Sequence, residues 1–473
     1  MINLSKRTLA ILLIAIIGIG SGVGLLYLYL GGWIFQDGNK YSGWTSWRVP
    51  GVSGIYEWQW IKIGMMGDIG DIRGDANYQG GYLAAKELNE AGGVIVNGTP
   101  YYVAIAGEDT DECATDIVIP RPITPQKMVY ELKCQYGVGG YRTEFLLAYR
   151  EPFMANKIPF LGTGAMSDIF CENVGSDYSR YKYFWRVSPY NSSWSSTVFT
   201  TSIKGMYQSL LNKYGSDDID HMGILAEDLT WTTGIRSIIP DLINTEFGGG
   251  TVTNDSVIAF APDADSSSMN GHLQTLEDEG CDLVLIAISL DAGLVMAQQW
   301  AQYEHKFLLF GSNFQAQTAG YWDETDGACE YEIGTSYTVR CNKTEFTIPF
   351  WDAYYEMWDE DPLYMAIGAY DAVNLIVDSI NKTQSFDPDV FVADMETYTP
   401  ANPKHGCVGG DPLAWDDNHD IFAGYPFSYD IWFQWQNGTK VLIPSFTDPE
   451  QYPNTLSPIE ELKIPPWFDW DEL

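Results

Sequence analysis

The stretch IKIGMMGDIGDIRG, Ile61–Gly74, decides the fold of this 473-residue chain. Its apolar first half predicts a buried strand, and its glycines predict a tight turn into a helix. Phosphate-binding loops need G-x-x-x-x-G-K-[S/T] or G-x-G-x-x-G, whereas no lysine follows here and the glycines repeat as G-x-x-G-x-x-G. Asp68, Asp71 and Asp75 would also repel a pyrophosphate. We therefore predict a strand–turn–helix unit that does not bind a nucleotide.

The pattern that begins in this stretch repeats along the chain. A helix over NYQGGYLAAKELNEAGG (77–93) ends at paired glycines, and the strand YYVAIAGED (101–109) follows. A second series begins after YFWRVSP (183–189) with the helix TTSIKGMYQSLLNKYG (200–215) and the strand HMGILAED (221–228). Alternating strands and helices indicate a parallel sheet covered by helices on both faces. The sequence therefore predicts an α/β protein with two doubly wound lobes.

The composition describes a folded and strongly acidic protein. Hydrophobic residues make up 45% of the chain and aromatic residues 14%, which is enough for a sizeable core. There are 63 acidic and 26 basic side chains, giving a formal net charge of -37 at pH 7. Such a surface repels phosphate backbones, so we expect no nucleic-acid partner. The acidity fits solubility in a salty or acidic exterior, with a specific attraction of cations as the alternative.

The N-terminus predicts a membrane anchor. Lys6 and Arg7 precede residues 9–35, which carry no charge and exceed the ~20 residues that span a bilayer. Because basic flanks stay inside, residues 1–8 are predicted to be a cytoplasmic tail and the rest of the chain to be extracellular. The prediction is a single-pass protein of the cell membrane, with residues 36–60 as a polar and aromatic linker. Cleavage as a signal peptide is the alternative.

Glycosylation sequons agree with an exterior location. Each is an Asn-x-Ser/Thr without proline, and together they predict a glycosylated surface protein. They are Asn97, Asn191, Asn254, Asn342, Asn381 and Asn437.

The seven cysteines contain no C-x-x-C spacing, so disulfides are a better interpretation than a metal site outside the cell. We expect two local pairs, Cys113–Cys134 and Cys329–Cys341. A bond between Cys171 and Cys407 would leave Cys281 buried and free, and the pairing of these three cysteines stays open.

The run from IKIGMMG to EDTDE (61–112), with its AAKELNEAGG helix end and NG turn, resembles the opening of the type 1 periplasmic-binding-protein family. The resemblance continues through IPFLGTGAMSD (158–168) and MGILAEDLTWTTG (222–234) to GDPLAWDDNHD (410–420), and so covers roughly residues 61 to 440. Insertions around Cys113–Pro125 and Asp323–Phe346 depart from the compact members. The family includes solute receptors for branched-chain amino acids and short amides in ABC transport.

The resemblance implies a Venus-flytrap architecture (periplasmic binding protein-like I), in which a multi-strand hinge joins two lobes around a ligand. It implies a first lobe of residues 61–188 and 338–405, and a second lobe of residues 189–337 and 406–473.

In the first lobe, the segments that match the family's binding loops are GGYRTE (139–144) and GTGAMSD (162–168). Backbone N–H groups at strand ends could grip a carboxylate or amide. Arg142 departs from the Ser/Thr-rich loops of relatives; it adds a charge-assisted fork to a carboxylate or remains a solvated arginine at the rim. The expected groups are the N–H groups of Gly140, Tyr141, Gly164 and Ala165 and the hydroxyls of Thr143 and Ser167.

In the second lobe, Trp231 matches the aromatic residue that covers the ligand in relatives, with packing alone as the alternative. Ser289, Asp291 and Asn313 match ligand-contacting strand ends. Amino-acid binders commonly place a carboxylate near Asn313, so its neutral amide argues against a simple amino-acid specificity, unless Asp291, Asp68 or Asp371 replaces it. Tyr190 is expected in the cleft or in the hinge, and the first loop could contact a ligand through Asp68.

Catalytic motifs such as G-x-S-x-G and H-E-x-x-H do not occur in the sequence, so we expect neither an enzyme nor a cofactor or metal site. The resemblance implies a membrane-anchored solute-binding protein that captures an amino acid or amide-like ligand for an ABC permease. The alternatives are the ectodomain of a ligand-sensing receptor and a structural surface-layer protein with the same fold.

Overall fold

The computed structural model describes residues 41, 43–114, 127–214, 221–247, 249–443 and 462–468. The chain divides into two compact units, one that ends at Gly43 and one that begins at Trp44 and contains both lobes. The predicted cytoplasmic tail and membrane anchor lie outside the described residues. Within the described ranges, no helix has the length and apolar character needed to cross a bilayer.

The first lobe contains a six-stranded sheet in the order β2-β3-β1-β4-β5-β6, in which only the β2–β3 pair is antiparallel. Its strands are β1 (Trp60–Gly67), β2 (Val94–Val96), β3 (Thr99–Asp109), β4 (Tyr136–Gly139), β5 (Phe160–Gly162) and β6 (Phe184–Arg186). Its helices are α1 (Ile72–Glu90), α2 (Thr143–Tyr149), α3 (Glu151–Ala155), α4 (Ile169–Ser176), α5 (Tyr178–Tyr181), and, later in the chain, α11 (Thr347–Trp358), α12 (Tyr364–Thr383) and α13 (Pro388–Met395).

The second lobe contains a seven-stranded sheet in the order β13-β12-β11-β10-β9-β7-β8, in which β12 is antiparallel to both of its neighbours, β11 and β13. Its strands are β7 (Met222–Glu227), β8 (Val257–Phe260), β9 (Leu283–Ile288), β10 (Leu308–Asn313), β11 (Ile333–Ser336), β12 (Ile431–Gln436) and β13 (Thr439–Leu442). Its helices are α6 (Ser192–Tyr214), α7 (Thr233–Phe247), α8 (Ser266–Asp278), α9 (Ala292–Gln302) and α10 (Tyr321–Glu324). The two predicted doubly wound lobes are confirmed.

Local chemistry explains the opening strand–turn–helix unit. β1 is buried between β3 and β4. Asp71 caps α1 by accepting a hydrogen bond from the Arg73 N–H at 2.9 Å. A methyl group at Gly74 would lie only 2.2 Å from the Asp68 backbone nitrogen, so only glycine fits where the helix passes the loop. The glycines thus serve close packing at this turn.

The chain crosses between the lobes after β6, after β11 and before β12. The segment after α13 still belongs with the first lobe. Trp415 Nε1 donates to the Arg186 carbonyl at 2.6 Å, and Arg186 pairs with Asp420 at 2.6 Å. The predicted change of lobe at residue 406 is therefore too early, because these contacts hold the segment on β6 and the chain enters the second sheet only at β12.

The predicted linker is packed on the first lobe over its described part. Trp44 is 3% exposed and stacks on Tyr78 with ring centroids 4.1 Å apart. The Trp358 ring packs edge-to-face against Trp44, with ring centroids 6.2 Å apart. Arg48 exchanges two backbone hydrogen bonds with Ile105 of β3, both 2.9 Å long. Trp44 is therefore part of the first-lobe core and Arg48 pairs with its sheet, whereas Tyr56 and Trp58 further along the segment are exposed.

All seven cysteines lie in the described part of the chain, and all are buried free thiols. Cys113 follows the carboxyl end of β3, whereas Cys134 precedes the amino end of β4. Because these strands run parallel, the two cysteines lie at opposite ends of the strands. Cys329 and Cys341 likewise flank the two ends of β11. The expected disulfides are absent, because the two cysteines of each pair lie at opposite ends of the strands. Spacing along the chain does not show at which end of the strands a loop lies. Cys171 lies near Asp420 and Cys407 near Asp371, so these two are not paired either.

Five of the six sequon asparagines are exposed, and their glycosylation stays a prediction. Asn191 differs, because its Nδ2 donates to Asp420 at 2.8 Å and its Oδ1 accepts from the Trp194 N–H at 2.8 Å. A glycan on Asn191 would disrupt this arrangement at the start of α6.

Replacing Trp44 with alanine tests whether this residue belongs to the core. We expect the free energy of unfolding to fall by about 3 kcal/mol, since a stacked and buried ring is lost. Urea unfolding followed by far-ultraviolet circular dichroism measures the change. The matched control is Trp58→Ala, because Trp58 is 65% exposed, and its expected change is within about 0.5 kcal/mol. Equal effects of the two substitutions would contradict the packing described.

The state of the cysteines can be counted directly. Alkylation of the denatured, unreduced protein should modify seven thiols per chain, whereas the folded protein should react slowly because every thiol is buried. Mass spectrometry gives the number. A count of five or three on the denatured chain would mean that disulfides form after all.

Candidate ligand-binding site

A cavity of about 60 Å³ lies between the two lobes, where the carboxyl ends of strands from both sheets meet. At ~10–15 Å³ per water molecule, it has room for a compact organic group. Its wall is mainly apolar and aromatic. The lining residues are Tyr141, Arg142, Gly164, Met166, Pro189, Phe199, Leu229, Trp231, Ile288, Ser289, Leu290, Ser312, Phe314, Gln317, Thr335, Ser336, Tyr337, Tyr364 and Asp430.

A buried glutamate fixes the first-lobe wall. Glu112 is fully buried and accepts hydrogen bonds from the N–H groups of Tyr141 and Arg142, at 2.9 and 3.0 Å. Burial raises the pKa of Glu112 to about 7. The Gly140 N–H donates to Met66. The N–H groups of residues 140 and 141, predicted to grip a ligand, are therefore used to hold the loop, and Tyr141 meets the cavity through its side chain.

The second predicted loop, residues 162–168, is held in place by Arg186. The Arg186 guanidinium donates to the carbonyl oxygens of Ala165 and Ser167, the latter at 2.7 Å. Gly164 alone of the three lines the cavity, and its carbonyl accepts from the Tyr364 hydroxyl at 3.1 Å. Ala165 and Ser167 thus shape the loop without lining the cavity. Thr143 does not line it either, and its buried hydroxyl has no hydrogen-bond partner in the described part of the chain.

Arg142 is not the solvated rim arginine of the alternative interpretation. It is only 9% exposed, lines the cavity, and lies 5.2 Å above the Phe145 ring. Its Nη1 donates to the Ala114 carbonyl at 3.1 Å and its Nε to Glu144 at 3.3 Å. A positive charge is therefore held at the first-lobe wall.

The second-lobe wall repeats the arrangement of the first. The buried carboxylate of Glu227 accepts hydrogen bonds from the N–H and hydroxyl of Ser289 and from the Leu290 N–H, at 2.6–2.9 Å. Burial raises the pKa of Glu227. Trp231 Nε1 donates to the Ser289 hydroxyl at 3.2 Å, and both residues line the cavity. The structure thus brings together the predicted Trp231 and Ser289.

Four other predicted contacts lie outside the cavity. Asn313 is completely buried and donates to Tyr321 at 2.8 Å and to Glu332 at 2.9 Å. Asp68 accepts from the Cys113 N–H at 2.8 Å. These hydrogen bonds hold each side chain within its own lobe. The remaining two are Asp291, whose side chain is 64% exposed, and Tyr190, which bonds to Asp430 in the hinge. Asp371, considered as a replacement carboxylate, instead accepts the Val408 and Gly409 N–H groups.

Hydrogen bonds join the two lobes across the cleft. The Tyr141 hydroxyl and Arg73 Nη1 both donate to the Ser289 carbonyl, at 2.5 and 3.0 Å. Arg73 also pairs with Asp291 at 3.3 Å and lies 5.2 Å above the Phe314 ring. Arg73 is 2% exposed. Its position in the acidic stretch DIRGD was the only sequence signal of this role.

The hinge contributes residues that the sequence did not single out. Asp430, just before β12, lines the cavity and accepts hydrogen bonds from Tyr190 at 2.6 Å and from Thr335 at 3.2 Å. Tyr337 and Tyr364 add aromatic wall from the second crossover and from α12. Sequence reasoning missed them because they come from distant parts of the chain.

Solved structures share this two-lobed fold. No protein-family model and no curated protein matches the sequence. A leucine-binding protein from Thermotoga maritima superposes with a TM-score of 0.62 at 15% identity, covering 81% of this chain and 97% of that one. An ABC-transporter solute-binding protein from Rhodopseudomonas palustris, in complex with 3,4-dihydroxybenzoic acid, gives 0.61 at 16%, with 81% and 95% covered. A branched-chain amino acid transporter substrate-binding protein from Streptococcus pneumoniae, in complex with isoleucine, gives 0.59 at 16%, with 80% and 97% covered.

The chain therefore has the two-lobed α/β fold of these binding proteins. More particularly, it has the fold of the type 1 family, as the sequence resemblance implied.

Replacing Arg73 with alanine tests the contacts across the cleft. We expect the distance between the lobes to increase, because the guanidinium bonds to Ser289 and Asp291 are lost. Double electron–electron resonance between one spin label on each lobe measures this distance. Arg180→Ala is the control, since Arg180 pairs with Glu151 inside the first lobe. An unchanged distance distribution in Arg73→Ala would show that Arg73 does not hold the lobes together.

Proposed function

We propose that this protein captures one small organic molecule between its lobes and presents it to an ABC permease. The observation that carries the proposal is the aromatic cavity at the junction of the two sheets, enclosed by residues of both lobes and of the hinge. Its wall is preformed, because Glu112 and Glu227 fix the loops on either side. The function is that of a binding protein, not an enzyme.

The ligand we propose is an amino acid or an amide-like molecule with an apolar body. The aromatic rings of Phe199, Trp231 and Phe314 suit an apolar group. Arg142 places a positive charge at the first-lobe wall, which suits a carboxylate or an amide oxygen. The three structural relatives bind leucine, isoleucine or an aromatic acid, and all of these ligands combine a carboxylate with an apolar body.

Binding would work by hinge closure. A ligand shifts the balance between open and closed lobes only by its greater affinity for the closed form. Here closure brings Trp231 and Ser289 of the second lobe against Tyr141 and Arg142 of the first. The closed form is then the one that the permease recognises.

We also propose that residues 9–35 anchor the protein in the cell membrane, with residues 1–8 inside and the binding unit outside. The charge distribution of the N-terminus supports this orientation. Expression with an epitope tag at each end, followed by protease treatment of intact cells, tests it. Protection of the C-terminal tag would contradict the proposed orientation.

A thermal-shift screen against amino acids, amides and aromatic acids tests the function. A ligand present at 100 times its Kd should stabilise the native state by about 2.7 kcal/mol and raise the Tm. The substitution Trp231→Ala should abolish the rise, since it removes one wall of the cavity. Trp194→Ala is the control, because Trp194 is an exposed residue of α6. A rise that survives in Trp231→Ala would place the ligand elsewhere, and no rise with any compound would contradict a solute-binding function.

A further inference from the structure

A second cavity lies on the first lobe, outside the cleft. Its volume is about 230 Å³, and it forms where α1, α12 and the beginning of α11 meet residues 406–408. Glu87, Pro349 and Gly406 of its wall are exposed, so the cavity is open to solvent. The two cavities have no lining residue in common. The second cavity is therefore a concave site separate from the one between the lobes.

Aromatic rings form one part of the wall of this second cavity. Phe350 of α11 and Tyr370 of α12 pack edge-to-face, with ring centroids 4.8 Å apart. Phe346, which precedes α11, adds a third ring, and like Tyr370 it is half-buried. Aromatic rings bind organic ammonium ions, including quaternary ones, through the negative charge of their faces. This part of the wall therefore suits an ion that combines apolar surface with a positive charge.

Two carboxylates make the second cavity electrically negative. Glu87 of α1 accepts a hydrogen bond from the Tyr370 hydroxyl at 2.5 Å. Asp378 of α12, whose side chain is 51% exposed, pairs with Lys404 at 2.9 Å. Among the described residues, no lysine or arginine lines the cavity. The formal charge of -37 on the whole chain also raises the local concentration of cations.

The existing contacts of the two carboxylates indicate which kind of cation fits. Glu87 already accepts from Tyr370 and Asp378 already pairs with Lys404. An inorganic ion takes several oxygen ligands, and the described part of the chain contains no group of three side chains that would hold one. A quaternary ammonium ion needs no hydrogen-bond acceptor, because negative charge and aromatic rings are enough to hold it.

We propose that the second cavity binds a quaternary ammonium ion, with the rings of Phe346, Phe350 and Tyr370 against its methyl groups and Glu87 as the counter-charge. The site goes beyond the proposed function and does not depend on it. Helix α12 carries Tyr370 in this cavity and Tyr364 in the wall of the cleft, so one helix borders both sites.

Choline and its neutral isostere 3,3-dimethylbutan-1-ol, in which carbon replaces the nitrogen, test the proposal on the full chain in detergent or nanodiscs. Titrations followed by saturation-transfer NMR give the two Kd values. We expect choline to bind about tenfold more tightly, because only choline carries the charge that the rings and Glu87 attract. In Glu87→Gln this ratio should fall to about threefold or less.

Two further variants separate the charge of Glu87 from its structural surroundings. Glu90→Gln is the matched control, because Glu90 is an exposed carboxylate of the same helix that pairs with Lys86 and does not line the cavity. Tyr370→Phe removes the hydrogen bond to Glu87 but keeps both the ring and the carboxylate. Both variants should preserve the wild-type ratio.

The proposal is overturned if choline does not bind, if the wild-type ratio is near one, or if Glu87→Gln leaves that ratio unchanged. An equal fall of the ratio in Glu90→Gln would also overturn it, since the effect would then be one of general surface charge. Solute binding in the cleft is measured separately by the thermal-shift screen, so failure of one proposal leaves the other standing.

Discussion

Two buried glutamates, one in each lobe, hold the facing loops of the cleft in position. Glu112 accepts the N–H groups at the end of β4, and Glu227 accepts those at the end of β9. In each case a carboxylate takes the place of the water that would otherwise solvate a strand end. Burying the charge is costly, and hydrogen bonds from backbone groups that cannot move away offset that cost. The loops so fixed then meet each other through Tyr141 and Ser289.

Local features of the fold could be predicted from the sequence because their causes are local. The turn after β1 depends on the Asp71 cap and on the absence of a side chain at Gly74, and both are visible in the sequence. Trp231 and Ser289 were also predictable, since they lie in the loops after strands whose carboxyl ends form the cleft. Such residues need only the fold class and the direction of a strand.

Other features depended on which edge or face a residue occupies, and one sequence does not contain that information. Asn313 ends a strand just as Ser289 follows one, but it turns into the second lobe toward Tyr321. The predicted cysteine pairs were wrong for the same kind of reason, because the two members of each pair lie at opposite ends of the strands. Asp430 and Arg73 matter through partners more than 200 residues away in the chain. Contacts of this range have no short-range signature.

The packing of Trp44 defines where an independently folding fragment can begin. A fragment cut at the start of β1 would expose the faces of Tyr78 and Trp358 that Trp44 covers, and would leave the Ile105 backbone groups unpaired along an open sheet edge. Such an edge pairs readily with other chains and promotes aggregation. The natural boundary for a soluble form therefore lies before Trp44, well ahead of the first strand.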